Sequence, residues 1–194
     1  MNICNGRPLS DPRQIPSLVQ TNGEFKTAAE YRKSKEDFIV IEEAVLEIEA
    51  QLERFRELTG ELPHYMDAHS VFNGNFLTAL KKVAARHRIP YFDVNGSFYG
   101  FVPFGRSQVH TFMEMDSMDP RYDPFETLKH AALQPTEAAQ CMMLLFHPGY
   151  IDDFILKTTY ITTARPREAA MLYDPNTLQW LEKNNVTVIT YDDL

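Results

Sequence analysis

The chain has 194 residues, of which 44% are hydrophobic, and a formal net charge of -8. This length fits one domain or a small pair of domains, and the hydrophobic fraction excludes an intrinsically disordered chain. The acidic surplus, with no local basic patch, argues against nucleic acid as a partner.

The cysteine usage and the first residues of the chain predict a cytoplasmic protein. Cys4 and Cys141 lie far apart and neither belongs to a Cys-x-x-Cys pair, which is typical of a reducing compartment. The opening residues lack the basic start and apolar run of a secretory signal. No window reaches about 18 consecutive apolar residues, so neither a transmembrane helix nor a membrane partner is predicted.

The first third of the chain predicts a turn-rich lead-in followed by a helix. Residues 1–36 hold three prolines and two glycines among short apolar pieces, and we expect no separate domain there. From Asp37 onwards the apolar residues recur at steps of four and three, and Gly60 and Pro63 would end this amphipathic helix. The apolar positions are Ile41, Val45, Ile48, Leu52 and Phe55.

The middle of the chain predicts two short strands around a second helix. Residues 64–69 and 90–94 have the composition of strands, and the apolar pattern over 76–84 indicates a helix that Pro90 closes. Residues 95–125 are rich in glycine, proline, aspartate and aromatic residues without a clear period. We interpret them as a long loop or insertion.

The last third of the chain predicts strands and helices in alternation. The apolar run 141–146 is typical of a strand buried on both faces, and 186–191 is the last predicted strand. Helices are expected over 167–173 and 176–183, the second capped by Asp174. This alternation predicts the α/β class with a mostly parallel sheet.

Two groups of polar residues follow predicted strands, where chemistry gathers in parallel α/β proteins. Alternation along a strand would place Asp67 and His69 on one side, close enough to share a divalent cation or a proton. The alternative is a solvated aspartate beside a histidine bonded to a loop carbonyl. His147 follows a buried strand and precedes Pro148, which suits a general acid, a metal ligand or a histidine that caps the strand end.

The remaining polar candidates predict structural roles. His87 and His130 fall in helical patterns and are expected on the surface. Asp116, Asp119 and Asp123 lack the spacing of a calcium loop and are expected in turns. Arg165 and Glu168 lie three residues apart, as either a helix-surface ion pair or a brace beneath the site.

Four segments together resemble the YdjC-like carbohydrate deacetylases, which include the chitooligosaccharide deacetylases. The segments are NICNGRPLSDPRQIPSLVQTNGEF near the start, PHYMDAH around Asp67, LLFHPGYID around His147 and TTARPREAAML around Glu168. The resemblance runs from residue 1 to 194 and implies a single domain with a partial or distorted (β/α) barrel.

The resemblance also implies a metal-dependent hydrolase that removes acetyl groups from N-acetylated sugars or oligosaccharides. A divalent cation, Mg²⁺ or Zn²⁺, would polarise the acetamide carbonyl and activate water. His69 aligns with a metal ligand of the family, His147 with the histidine that protonates the leaving amine, and Asp67 with a residue that shapes the metal site. The implied partner is a small oligosaccharide substrate.

The sequence departs from the family pattern at the metal site. The family's opening Asp-Asp-Phe-Gly strand and His-Leu pair have no counterpart, so the domain is expected to be incomplete at its N-terminal side. Val71 stands where the family has a second histidine. One of three expected ligands remains, and stable metal binding by this chain alone is not expected.

These departures leave two functions open. The chain is either a carbohydrate deacetylase or a catalytically inactive sugar-binding or interaction protein derived from that family. The aromatic residues Phe98, Tyr99, Phe101 and Phe104 would stack on sugar rings, or fill a core or an interface. That surplus of aromatic residues is also compatible with a homodimer.

Overall fold

The computed structural model describes residues 1–113, 117 and 119–194. The chain divides into two compact units, Met1–Asn95 and Gly96–Leu194. Each unit is built differently. The first packs helices and turns around an apolar core, and the second combines helices with a small sheet.

The first unit begins with turns that belong to its core. Pro12–Gln14 forms a 3-10 helix and α1 spans Ala28–Lys33. The side chains of Ile3, Ile15 and Leu18 are fully buried in the apolar cluster of this unit. The lead-in is therefore part of a larger core rather than a domain of its own, as the sequence predicted.

Two helices form the body of the first unit, and both agree with the predicted amphipathic patterns. Helix α2 spans Ile41–Thr59 and α3 spans Gly74–His87. Ile48 and Leu52 of α2 are buried, whereas Phe55 in its last turns is 40% exposed. Gly60 ends α2 in the left-handed conformation, with φ of 87°.

The predicted strands at 64–69 and 90–94 are reduced to a single parallel bridge between Met66 and Tyr91. The Met66 N–H donates to the Pro90 carbonyl, and the Phe92 N–H donates to the Met66 carbonyl, both at 2.8 Å. Pro90 has no N–H with which to extend the ladder. Helix α4, Val94–Ser97, ends the extended run on the other side.

The segment expected to be a long loop contains a β-hairpin in the second unit. Strand β1, Val102–Phe104, pairs antiparallel with β2, Ser107–Phe112. Pro103 hid this hairpin in the sequence, although proline is tolerated on an edge strand such as β1. Gly105, with φ of 57°, makes the turn possible.

Strand β3, Gln140–Leu144, confirms the strand predicted at 141–146 and pairs parallel with β2. All its residues are half-buried, so the expected burial on both faces is wrong. In the described residues, the sheet order is β1-β2-β3, with one antiparallel and one parallel pairing. The α/β character is confirmed, the predominance of parallel pairing is not found here, and the barrel stays a prediction.

The strand predicted at 186–191 is wrong. The Val186 N–H bonds to the Leu181 carbonyl as a continuation of the preceding helix end. The Thr190 N–H bonds to the Asp193 carboxylate, which caps a 3-10 helix over Tyr191–Asp193. Because these donors serve local structure, the β-branched segment does not join the sheet.

Four helices complete the second unit. Helix α5 spans Pro124–Ala132, α6 spans Asp153–Thr158, α7 spans Ala164–Tyr173 and α8 spans Pro175–Lys183. The last two confirm the predicted helices, and the Asp174 side chain accepts from the Asn176 N–H at 2.9 Å as the expected cap. In the described parts of both units, no helix has the length and hydropathy needed to cross a membrane.

Asp119 and Asp123 have the expected turn and capping roles. The Asp119 carboxylate accepts from the Arg121 backbone N–H at 2.7 Å, and Asp123 caps α5 by accepting from Phe125 at 2.9 Å. The Arg121 guanidinium holds the pKa of Asp119 low, at about 2. Asp116 lies outside the described residues.

Candidate functional site

Asp67 and His69 lie on the same side of an extended segment in the first unit. Met66 and Ala68 are buried in the core, whereas Asp67 is half-buried and His69 is exposed. This alternation agrees with the predicted arrangement. The segment is fixed at two points, because Met66 pairs with Tyr91 and the His69 N–H donates to the Met1 carbonyl at 3.0 Å.

The electrostatic surroundings of Asp67 favour its protonated form. Burial raises the pKa of this carboxyl, and the charges of the Met1 amino group and His69 oppose that rise. The hydroxyl of Tyr91 lies nearby, buried and without a hydrogen-bond partner. Burial, with further contributions from Asp93 and Asp67, raises the pKa of the Tyr91 phenol.

His147 belongs to the second unit, three residues beyond the end of β3. Its side chain is exposed, but its backbone is held from both sides. The His147 N–H donates to Glu168 Oε2 at 2.5 Å, and its carbonyl accepts from the Arg165 guanidinium at 3.4 Å. Pro148 then fixes the next φ angle. The result is a rigid backbone that presents an imidazole to solvent.

Glu168 is the anchor of this arrangement. It is fully buried on α7, and its other oxygen accepts from the Tyr122 hydroxyl at 3.1 Å. Burial, together with the neighbouring Glu168 charge, raises the pKa of Tyr122. Of the two interpretations open for Arg165 and Glu168, the brace is the one found, because both side chains bind the His147 backbone. The sequence missed Tyr122, which lies 46 positions from Glu168.

The other two histidine predictions concern the surface. His87 is 30% exposed and bonds to Glu49 at 2.6 Å, which ties the end of α3 to α2. His130 is exposed on α5. Neither lies next to the candidate residues in sequence.

The described residues do not fit a complete metal site. Asp67 and His69 supply one carboxylate and one imidazole from a single segment. A catalytic metal site normally takes three protein ligands. Across 1–113, 117 and 119–194, no group of three or more His, Cys, Asp or Glu side chains is arranged to hold a metal ion. Val71, where the family pattern has histidine, is 1% exposed within the core.

Comparison with known proteins identifies the family. The sequence model of the YdjC-like protein matches residues 1–183. Carbohydrate deacetylase 2 of Listeria innocua is 28% identical, over all of this chain and 75% of its own length. The carbohydrate deacetylase of Geobacillus stearothermophilus is 27% identical over 96% of this chain and 71% of its own.

A solved structure supports the fold. A protein from Enterococcus faecalis V583, described as a candidate for cellobiose-phosphate cleavage, superposes with a TM-score of 0.74. The match covers 100% of this chain and 75% of that chain, at 17% sequence identity. The family match over most of the sequence confirms the resemblance found in its motifs. This chain belongs to the YdjC-like protein family.

Proposed function

We propose that this protein acts as a carbohydrate deacetylase, which hydrolyses the acetamide of an N-acetylated sugar or oligosaccharide. One observation carries the proposal. The exposed imidazole of His147 stands on a backbone fixed by the buried Glu168 carboxylate and by Arg165. The relatives named carbohydrate deacetylase support the same reaction at modest identity.

The chemistry of amide hydrolysis explains the role proposed for His147. Water adds to the acetyl carbonyl, and the C–N bond then breaks only if the leaving amine receives a proton. Histidine donates protons readily near neutral pH, because its ordinary pKa lies close to 6.5. A fixed backbone limits the positions that this imidazole can sample, which favours a productive distance to the amine.

Asp67 and His69 are proposed to serve the same reaction, Asp67 as a catalytic group and His69 as a metal ligand. Their common face is the feature that supports this role. Because the described side chains do not complete a metal site, we derive no catalytic step through Mg²⁺ or Zn²⁺. Metal dependence is therefore a part of the proposal that an assay must test.

Acetate release from diacetylchitobiose, with and without added Mg²⁺ or Zn²⁺, tests the reaction. The substitution His147→Gln should lower kcat by about 10²–10⁴-fold and leave sugar binding nearly unchanged. His130→Gln, at an exposed histidine of the same unit, is the matched control and should keep full activity. Equal losses of kcat and of sugar binding in His147→Gln would show a structural role.

His69→Ala tests the metal-ligand assignment separately. We expect less metal to copurify with this variant than with the parent protein, as measured by elemental analysis. His87→Ala is the control, because His87 binds Glu49 on the surface of the same unit. Unchanged metal content in His69→Ala would remove His69 from the ligand set.

A second function is favoured by the core position of Val71. A buried valine at a position expected to hold a ligand supports an inactive sugar-binding or interaction protein. Calorimetric binding of diacetylchitobiose without acetate release, at any metal concentration tested, would favour this second function over the first.

A further inference from the structure

The second unit contains a cavity of about 640 Å³ that the proposed reaction does not use. Strand β3 forms one wall and α8 another, and the segment Val186–Thr190 lies opposite. The His147 side chain is not part of its lining. The volume falls within the range of pockets that hold small molecules, roughly 300–1,000 Å³.

The lining of this cavity is apolar and uncharged. Charged residues make up 24% of the whole chain, yet the lining includes no Asp, Glu, Lys, Arg or His side chain. The apolar surface comes from the strand, the helices and the opposite segment, and includes Cys141, Met143, Phe146, Leu178, Leu181 and Val188.

Neutral hydrogen-bonding groups also line the cavity. Gln134, Thr136 and Asn184 contribute amides and a hydroxyl. The wall at Val186–Thr190 belongs to no strand, and the Val188 side chain is 73% exposed. The cavity is therefore reached from solvent past a segment that the sheet does not hold.

We propose that this cavity binds an uncharged, largely apolar small molecule whose polar end is an amide or a hydroxyl. An ion would lose its hydration on entering and would meet no opposite charge, which is costly. A neutral amide loses much less, because the lining amides and hydroxyls replace its bonds to water. The apolar portion is stabilised by burial against the methionine, leucine and phenylalanine side chains.

A series of ligands with one chain length and different charge tests this proposal on the whole protein. Octanamide, octanoate and octylamine are compared at pH 8 for displacement of the neutral dye Nile red. We expect octanamide to displace the dye at a concentration at least about tenfold lower than either ion. Equal potency of the three ligands, or no displacement by octanamide, would overturn the proposal.

Protection of Cys141 locates the binding. Iodoacetamide labelling is followed by peptide mass spectrometry, with Cys4 in the first unit as the internal reference. Octanamide should slow labelling of Cys141 and leave labelling of Cys4 unchanged. Slowing at both cysteines, or at neither, would contradict binding in this cavity.

A charge introduced into the wall gives a variant with a matched control. Val188→Arg should weaken octanamide binding at least about tenfold, because the ligand would share the cavity with an unpaired charge. Leu156→Arg, at a 61% exposed position on α6 outside the lining, should bind octanamide like the parent protein. Equal binding by both variants would refute the site. Acetate release is a separate measurement, so its absence leaves this test intact.

Discussion

Two buried tyrosine hydroxyls in the first unit have opposite surroundings. The Tyr31 hydroxyl donates to the carbonyls of Ile3 at 3.0 Å and Leu18 at 3.3 Å. The Tyr91 hydroxyl is buried without a partner. Burial raises the pKa of both phenols, yet only one of them recovers the cost of leaving water.

The two tyrosines therefore predict unequal responses to loss of the hydroxyl. Tyr31→Phe should lower the free energy of unfolding by about 1 kcal/mol, because it leaves the carbonyl oxygens without their donor. Tyr91→Phe should leave that free energy unchanged or raise it, since the ring and its contact with Lys81 remain. Urea denaturation of both variants measures the difference, and equal losses would contradict it.

Glu168 gives a second prediction at the scale of single residues. Glu168→Ala leaves the His147 N–H and the Tyr122 hydroxyl without an acceptor, and should cost about 2–3 kcal/mol of unfolding free energy. Tyr122→Phe removes only one of these bonds and should cost about 1 kcal/mol. Chemical denaturation monitored in the second unit compares them. A loss in Glu168→Ala no larger than in Tyr122→Phe would rule out the brace.

At the scale of elements, the end of α2 depends on one glycine. Gly60 has φ of 87°, and nothing lies within 4 Å of where a Cβ would stand. Gly60→Ala should therefore cost about 1 kcal/mol from backbone strain alone. Gly100→Ala also adds its Cβ to open space, but without a left-handed φ, and should cost clearly less. Thermal denaturation of the pair tests this, and equal midpoints would disprove it.

At the scale of the whole molecule, the apolar core of the first unit is self-contained. Its fully buried members, from Ile3 to Ile89, all lie within Met1–Asn95. They come from the turn-rich opening segment, α2, α3 and the segment around Met66. A continuous core of this kind is what a cooperative folding unit requires.

This organisation predicts that residues 1–95 fold when expressed alone. The fragment should show a single cooperative thermal transition by far-UV circular dichroism. A fragment of residues 1–60 lacks α3, which contributes Phe76, Leu80 and Val83 to the core, and should show no such transition. A featureless melt of the longer fragment would count against an independent core.

The sequence by itself determined the helices α2, α3, α7 and α8, the family, and the common face of Asp67 and His69. These features follow from local periods, because a helical repeat or a strand alternation is written within a few consecutive residues. Capping by Asp174 and termination by Gly60 are local for the same reason.

Only the tertiary structure decided the hairpin at 102–112, the failure of 186–191 to form a strand, and the brace around His147. Strand pairing depends on which distant segment offers free N–H and C=O groups, and the composition of one segment does not reveal that. The brace joins positions 21 and 46 residues apart. Because such contacts form only once the core has brought α7 beside the end of β3, no local pattern encodes them.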